Sequence, residues 1–170
     1  MPNTFPALLT GASTYARDLG RAGFAGIGQW LMDKRISIVP TVPTALRCIA
    51  AELQQTEQNL EVRLLRLSGE PLSRDDVAQA ARVFPEYCRI LNWYGCTEVA
   101  VASWTTQVSR VHDVPAIPAG KVFGNIEVRI VGEHGLPVGN NCEGEITVGS
   151  DALFEGYWRQ PQLNSQKFST

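Results

Sequence analysis

Arg89-Ile90-Leu91-Asn92-Trp93-Tyr94-Gly95-Cys96-Thr97-Glu98 carries more structural and chemical information than any other stretch of this chain. The run Arg89-Ile90-Leu91 predicts a short strand. The residues after it predict a glycine turn presenting an aromatic face, a hydroxyl and a carboxylate within a few positions. That combination suits an adenine ring, a phosphate and a metal ion. Plainer readings stand beside it. Tyr94 can be a packed core aromatic, and Thr97-Glu98 can open a helix whose dipole favours the acid. Cys96, without a basic neighbour, reads as a small buried filler and not as a nucleophile.

Upstream, helix and strand signals alternate. Phe24, Ile27 and Leu31 recur at helical spacing, and Ile36-Ser37-Ile38-Val39 predicts a β-branched strand. Thr44 can cap the next helix, whose Leu46, Ile49, Ala50 and Leu53 form one apolar stripe. Leu64-Leu65-Arg66-Leu67 is a second strand. Ser73 with Asp76 fits the capping-box spacing and opens a helix with Val77, Ala80, Ala81 and Phe84 on one face. Strand, helix, strand, helix, strand at these lengths predicts an α/β fold with a mostly parallel sheet and flanking helices. From about residue 115 the texture changes. Pro115, Pro118 and Gly120 punctuate the chain, Ile126-Glu127-Val128-Arg129-Ile130-Val131 alternates, and Glu145-Ile146-Thr147-Val148 is another strand. The expected division is an α/β subdomain over residues 1–112 and a smaller β-rich lobe over 113–170.

Ligands of open parallel sheets settle outside the carboxyl ends of the strands. The three strands lead into Pro40-Thr41-Val42-Pro43-Thr44, Ser68-Gly69-Glu70-Pro71-Leu72-Ser73 and 92–98, so these loops are expected along one edge. Ser68-Gly69-Glu70-Pro71 is equally readable as a turn into a capped helix.

Composition narrows the classes. With 44% hydrophobic and 19% charged residues the chain has a globular balance, and a formal charge of −2 gives no basic field for nucleic acid. Apolar runs are too short for a membrane helix, and residues 1–20 lack a signal-peptide pattern. The four cysteines, Cys48, Cys88, Cys96 and Cys142, form no CxxC pair, so reduced thiols in a cytoplasmic protein are expected. The two histidines, His112 and His134, neighbour no nucleophile, which argues against Ser-His-Asp or Cys-His hydrolysis.

In combination these motifs resemble the adenylate-forming superfamily: amino-acid-activating domains of nonribosomal peptide synthetases, acyl-CoA synthetases and luciferases. Asn92 to Glu98 matches its Asn-x-Tyr-Gly-x-Thr-Glu signature. Leu67-Ser68-Gly69-Glu70-Pro71-Leu72-Ser73 resembles its Gly-Gly-Glu-x-Leu segment, with Ser68 replacing the first glycine. Gly144-Glu145-Ile146-Thr147-Val148-Gly149 and Gly156-Tyr157-Trp158 resemble a later signature that Pro161-Gln162-Leu163, Lys167 and Phe168 continue in register. Ala7-Leu8-Leu9-Thr10-Gly11-Ala12-Ser13 fits the segment after the family's substrate-binding Asp. The similarity runs essentially end to end, and the segments near residues 11 and 43 favour the peptide-synthetase type.

The resemblance implies a role for each matching position. Tyr94, followed by Gly95, would stack on adenine, with the backbone of Gly69, Glu70 and Pro71 walling its other side. Asn92 would accept from the adenine amino group. Thr97 would donate to the α-phosphate, and Glu98 would ligate Mg²⁺. Trp93, Val101, Ala102 and Ser68 fall at the acyl pocket. Arg66 shares a strand face with Ser68, and either reaches that pocket or pairs with a structural carboxylate. The implied reaction joins ATP to a small amino or other carboxylic acid as acyl-AMP. Transfer to a carrier-protein phosphopantetheine or to CoA follows.

The departures are equally specific. The phosphate loop and the substrate-binding Asp would lie upstream of Met1. The ribose-binding Thr-Gly-Asp and the lysine-bearing lobe would follow Thr170. The expectation is therefore an internal piece of a larger ligase, inactive without the remainder of the adenylation domain. Two rival expectations are a non-catalytic remnant acting as a binding module, and an unrelated doubly wound nucleotide-binding domain without a β lobe after residue 115.

Overall fold

Two helical crossovers between parallel strands organise the first part of the chain. The computed structural model describes residues 4–55, 59–113, 116–151 and 153–168. Expectations that fall on Met1, Pro115, Thr170 and the His112 side chain lie outside the described residues. Three short helices, α1 (Thr4–Leu9), α2 (Leu19–Ala22) and α3 (Ile27–Asp33), precede strand β1 (Ile38–Thr41). Helix α4 (Pro43–Leu53), strand β2 (Leu64–Ser68), helix α5 (Arg74–Val83) and strand β3 (Arg89–Gly95) follow. β1 pairs with β2, and β2 with β3, both in parallel. Strand β4 (Ala100–Gln107), a 3₁₀ segment over Val108–Asp113 and strand β5 (Lys121–Val122) complete a five-stranded sheet in the order β1-β2-β3-β4-β5. The α/β class expected from the sequence is therefore present.

Burial follows the periodicities. In α4, Leu46, Ile49, Ala50 and Leu53 are buried, as are Val77 and Ala80 of α5. They meet the sheet face made by Val39, Leu65, Leu67 and Ile90. A fully buried leucine of this kind contributes about 1.5–3 kcal/mol. The opposite sheet face is less covered: Ile38 is exposed, while Leu64, Arg66, Ser68, Leu91 and Trp93 are half-buried.

Several boundaries differ from expectation. β1 starts at Ile38, because Arg35 adopts a left-handed turn (φ 48°) that folds Ile36 back onto the core. Thr44 is not the cap of α4: Val42 occupies the cap position without a side-chain bond, and Pro43 supplies the first turn. β3 continues through Gly95, so four signature residues expected in a turn lie in a strand, because Asn92 and Trp93 pair with Leu67 and Ser68. β4 was unforeseen, because Ala100, Ala102 and Ser103 dilute its β-branched residues. Ser73 does form the capping box, accepting from Asp76 N while the Asp76 carboxylate accepts from Ser73 N.

The chain divides into two compact units, Met1–Tyr94 with Ala102–Lys121, and Gly95–Val101 with Val122–Thr170. The second contains an antiparallel pair, β6 (Glu127–Val131) and β7 (Glu145–Gly149), and helix α6 (Pro161–Lys167). A two-stranded ribbon is less than the β-rich lobe expected from the sequence. From residue 116 to 168 no described residue is buried, and Ile130 and Ile146 are both exposed.

Candidate functional site

In the first unit the parallel register decides which residues meet. Thr41 lies opposite Leu67, Leu67 opposite Asn92, and Ser68 opposite Trp93. The carboxyl ends of β1, β2 and β3 are thus aligned, and the loops beginning at residues 42 and 69 leave from one edge beside Tyr94. Successive strand residues point to opposite faces. Asn92 and Tyr94 accordingly share the face of Leu65 and Leu67, whereas Trp93 shares the other with Arg66 and Ser68.

The Gly69 loop is tied to the start of α4. The Glu70 carboxylate accepts from Thr44 N at 2.9 Å and from Thr44 Oγ1 at 2.6 Å. These bonds hold the Glu70 carboxyl below the usual carboxylate range. Glu70 supplies, from another loop, the cap that Val42 cannot, and the helix dipole favours a negative charge there. Gly69 adopts φ 85°, which permits the tight turn at this junction. The Glu70 side chain is thereby occupied, and the 69–71 backbone is the part presented at the edge.

Asn92 Nδ2 donates to Pro118 O at 2.9 Å, which orients its carbonyl oxygen as an acceptor. Tyr94, 41% exposed, retains an accessible ring at the strand end and is not a packed core aromatic. On the other face the Arg66 guanidinium lies 4.5 Å from the Trp93 ring centre. Desolvation lowers the Arg66 pKa. The stacking orients a cation beside Trp93, a role for Arg66 that strand alternation alone does not disclose. Ala102 is buried in β4.

In the second unit Gly95 begins a tight reversal, closed by Cys96 N donating to Val99 O at 2.9 Å. A Cβ on Gly95 would lie 2.6 Å from Val99 O, so close backbone approach requires this glycine. Strand β4 follows, which excludes the helix-start reading of Thr97-Glu98. Thr97 and Cys96 are exposed, contrary to the buried-filler expectation for Cys96, because the reversal turns both outward. Val101 is buried and its carbonyl accepts from Phe123 N. The Glu98 carboxylate accepts from the Cys96 thiol, the Tyr157 hydroxyl and nearby backbone N–H groups, which hold it ionised below the usual range. A lone half-exposed carboxylate fits Mg²⁺, which takes one or two protein carboxylates and completes its shell with phosphates and water. Among the described residues no group of three or more His, Cys, Asp or Glu could hold a metal unaided.

The chain belongs to the AMP-binding enzyme family, whose model matches residues 1–158. It is thereby part of the adenylate-forming ligase superfamily. It is 30% identical over 167 residues to tyrocidine synthase 1 of Brevibacillus parabrevis, covering 96% of this chain and 14% of that protein. The chain thus spans a small part of that relative's length. In fold it is similar to the O-succinylbenzoate coenzyme A synthetase of Bacillus subtilis, whose structure holds ATP and magnesium. The TM-score is 0.74 at 17% identity, over 97% of this chain and 33% of that one. It is also similar to McyG A-PCP complexed with phenylalanyl-adenylate, with a TM-score of 0.69 at 18% identity, over 89% and 29% of the two chains. No helix among the described residues is long and apolar enough to cross a membrane.

Proposed function

We propose that this chain is the middle portion of the large N-terminal domain of an amino-acid-activating ligase, with an α/β part over 1–112 and part of a β-barrel over 113–170. The observation that carries the reading is the shared edge of β1, β2 and β3, where the latched 69–71 backbone adjoins Asn92 and Tyr94. In this proposal Tyr94 stacks on adenine, Gly69, Glu70 and Pro71 wall it with backbone, and Asn92 Oδ1 accepts from the adenine amino group. Thr97 donates its hydroxyl to the α-phosphate, and Gly95 lets the turn close behind it. Glu98 would hold Mg²⁺, which when bound neutralises phosphate charge. An oxygen of the substrate carboxylate attacks the α-phosphorus and the bond to the bridging oxygen breaks. Acyl-AMP and pyrophosphate result, and Thr97 stabilises the charge developing on phosphorus.

Trp93, Ser68, Val101 and Ala102 are the proposed acyl-side residues. The acyl group then passes to a carrier-protein phosphopantetheine or to CoA. The 30% identity to tyrocidine synthase 1 supports the carrier over CoA.

Calorimetry with ATP and a non-hydrolysable acyl-adenylate analogue tests the nucleotide edge. Saturable binding abolished by Tyr94→Ala is expected. Binding indifferent to that substitution leaves a non-catalytic interaction module as the better reading. The chain alone is expected not to exchange pyrophosphate into ATP, because no phosphate loop or catalytic lysine is recognisable in its sequence.

A further inference from the structure

The Gly156-Tyr157-Trp158 motif has no role in the reading above, yet within the second unit it reaches the proposed metal ligand. Tyr157 Oη donates to Glu98 Oε1 at 2.9 Å, across 59 residues of sequence. Tyr157 is itself held on several sides. Asn164 of α6 accepts from Tyr157 N through Oδ1 at 2.7 Å and donates through Nδ2 to Tyr157 O at 3.2 Å. The ring packs edge-on against Phe154 at 4.9 Å and against Phe168 at 6.3 Å. Gly156 makes the clamp possible. It adopts φ 126°, and a Cβ there would press within 3.1 Å of the Asn164 amide. Trp158, by contrast, is exposed and takes no part.

We propose that Tyr157 is a positioning residue for Glu98: α6 fixes Tyr157 through Asn164, and the Tyr157 hydroxyl fixes the carboxylate that receives the metal–nucleotide complex. The inference rests on Glu98 being the metal ligand. Its physical basis is that ligand carboxylates bind cations well only when their own hydrogen bonds orient them. Glu98 sits in a tight reversal and is half-exposed, so hydrogen bonds supply its orientation.

The test measures Mn²⁺·ATP affinity of the 170-residue protein by electron paramagnetic resonance, beside metal-free AMP affinity and the melting temperature. Tyr157→Phe keeps the ring and deletes the donor. It is expected to weaken Mn²⁺·ATP about tenfold while AMP affinity and melting remain as in the wild type. Asn164→Ala, which releases the backbone but leaves the hydroxyl, is expected to act in the same direction and more weakly. Wild-type Mn²⁺·ATP affinity in Tyr157→Phe, or an equal loss for AMP, overturns the proposal. Glu98→Gln separates the two levels. If Glu98→Gln weakens Mn²⁺·ATP and Tyr157→Phe does not, the ligand stands and the positioning role falls. If Glu98→Gln has no effect, or the wild type binds no Mn²⁺·ATP, the metal-ligand reading falls and takes the positioning role with it.

Discussion

Asp76 is the buried ionic group among the described residues of the first unit, with a side chain 1% exposed and Arg47 Nε 2.6 Å away. Burial by itself would raise its carboxyl. Bonds from Arg47, the Ser73 hydroxyl and the Ser73 backbone outweigh that and leave it below the ordinary aspartate range. A depressed native pKa means the unfolded state binds the proton more readily. The stabilisation is therefore complete above the unfolded value, about 3.9, and drains away as pH falls through the lower native one. Asp76→Ala is expected to cost about 2 kcal/mol at pH 7 through the lost capping box and partnered bonds. The gap between the urea midpoints of that variant and the parent should be smaller at pH 3 than at pH 7. This device was legible in advance, because Ser73 and Asp76 are three residues apart. The Glu70–Thr44 latch was not, since its partners lie 26 residues apart and only the parallel register brings them together. The available hint was negative: a helix opening with Val42-Pro43 has no cap of its own.

The elements repeat that division between local and distant determinants. Helices α4 and α5 could be read from stripes at 3.6-residue spacing, because one neighbouring surface selects their buried face. β3 could be read only to Leu91. Beyond it Asn92, Trp93 and Tyr94 look like turn chemistry, and it is ladder pairing with β2 that keeps Asn92 and Trp93 extended. β4 had too little apolar alternation to announce itself. The two faces of β2 give a direct check of this picture. Leu65→Ala, on the helix-covered face, is expected to cost about 3 kcal/mol. Leu64→Ala, on the half-buried face, is expected to cost about 1 kcal/mol. Chemical denaturation of both variants compares them, and equal losses would mean that both faces are packed alike.

At the scale of the whole molecule, burial is concentrated in one unit. Among the described residues the buried hydrophobic ones run from Ile27 to Val108, and of these Val101 alone belongs to the second unit. Alternation in residues 126–131 was a sound indication of strand, and β6 forms. What the alternation could not convey is whether anything covers the apolar side, and Ile130 is 45% exposed. With little core of its own, the β6, β7 and α6 region should open at small cost. Amide exchange followed by mass spectrometry is expected to protect β1, β2, β3, α4 and α5 roughly a hundredfold more than β6 and β7. Comparable protection in both would contradict this account. The AMP-binding family was legible through motifs in order along the chain. The Arg66–Trp93 stacking was not, because strand alternation placed Arg66 on the same face as Ser68 without indicating which side chain it would lie against.

Cys88 lies at the foot of β3 with no exposed surface, and burial pushes its thiol up to about 11. Thiolate is the reactive form, so at neutral pH an alkylating reagent cannot consume this sulfur while the first unit stays closed. Cys48, Cys96 and Cys142 are exposed and would be consumed first. The molecule therefore contains its own stopwatch: the slow fourth alkylation counts how often the first unit comes apart.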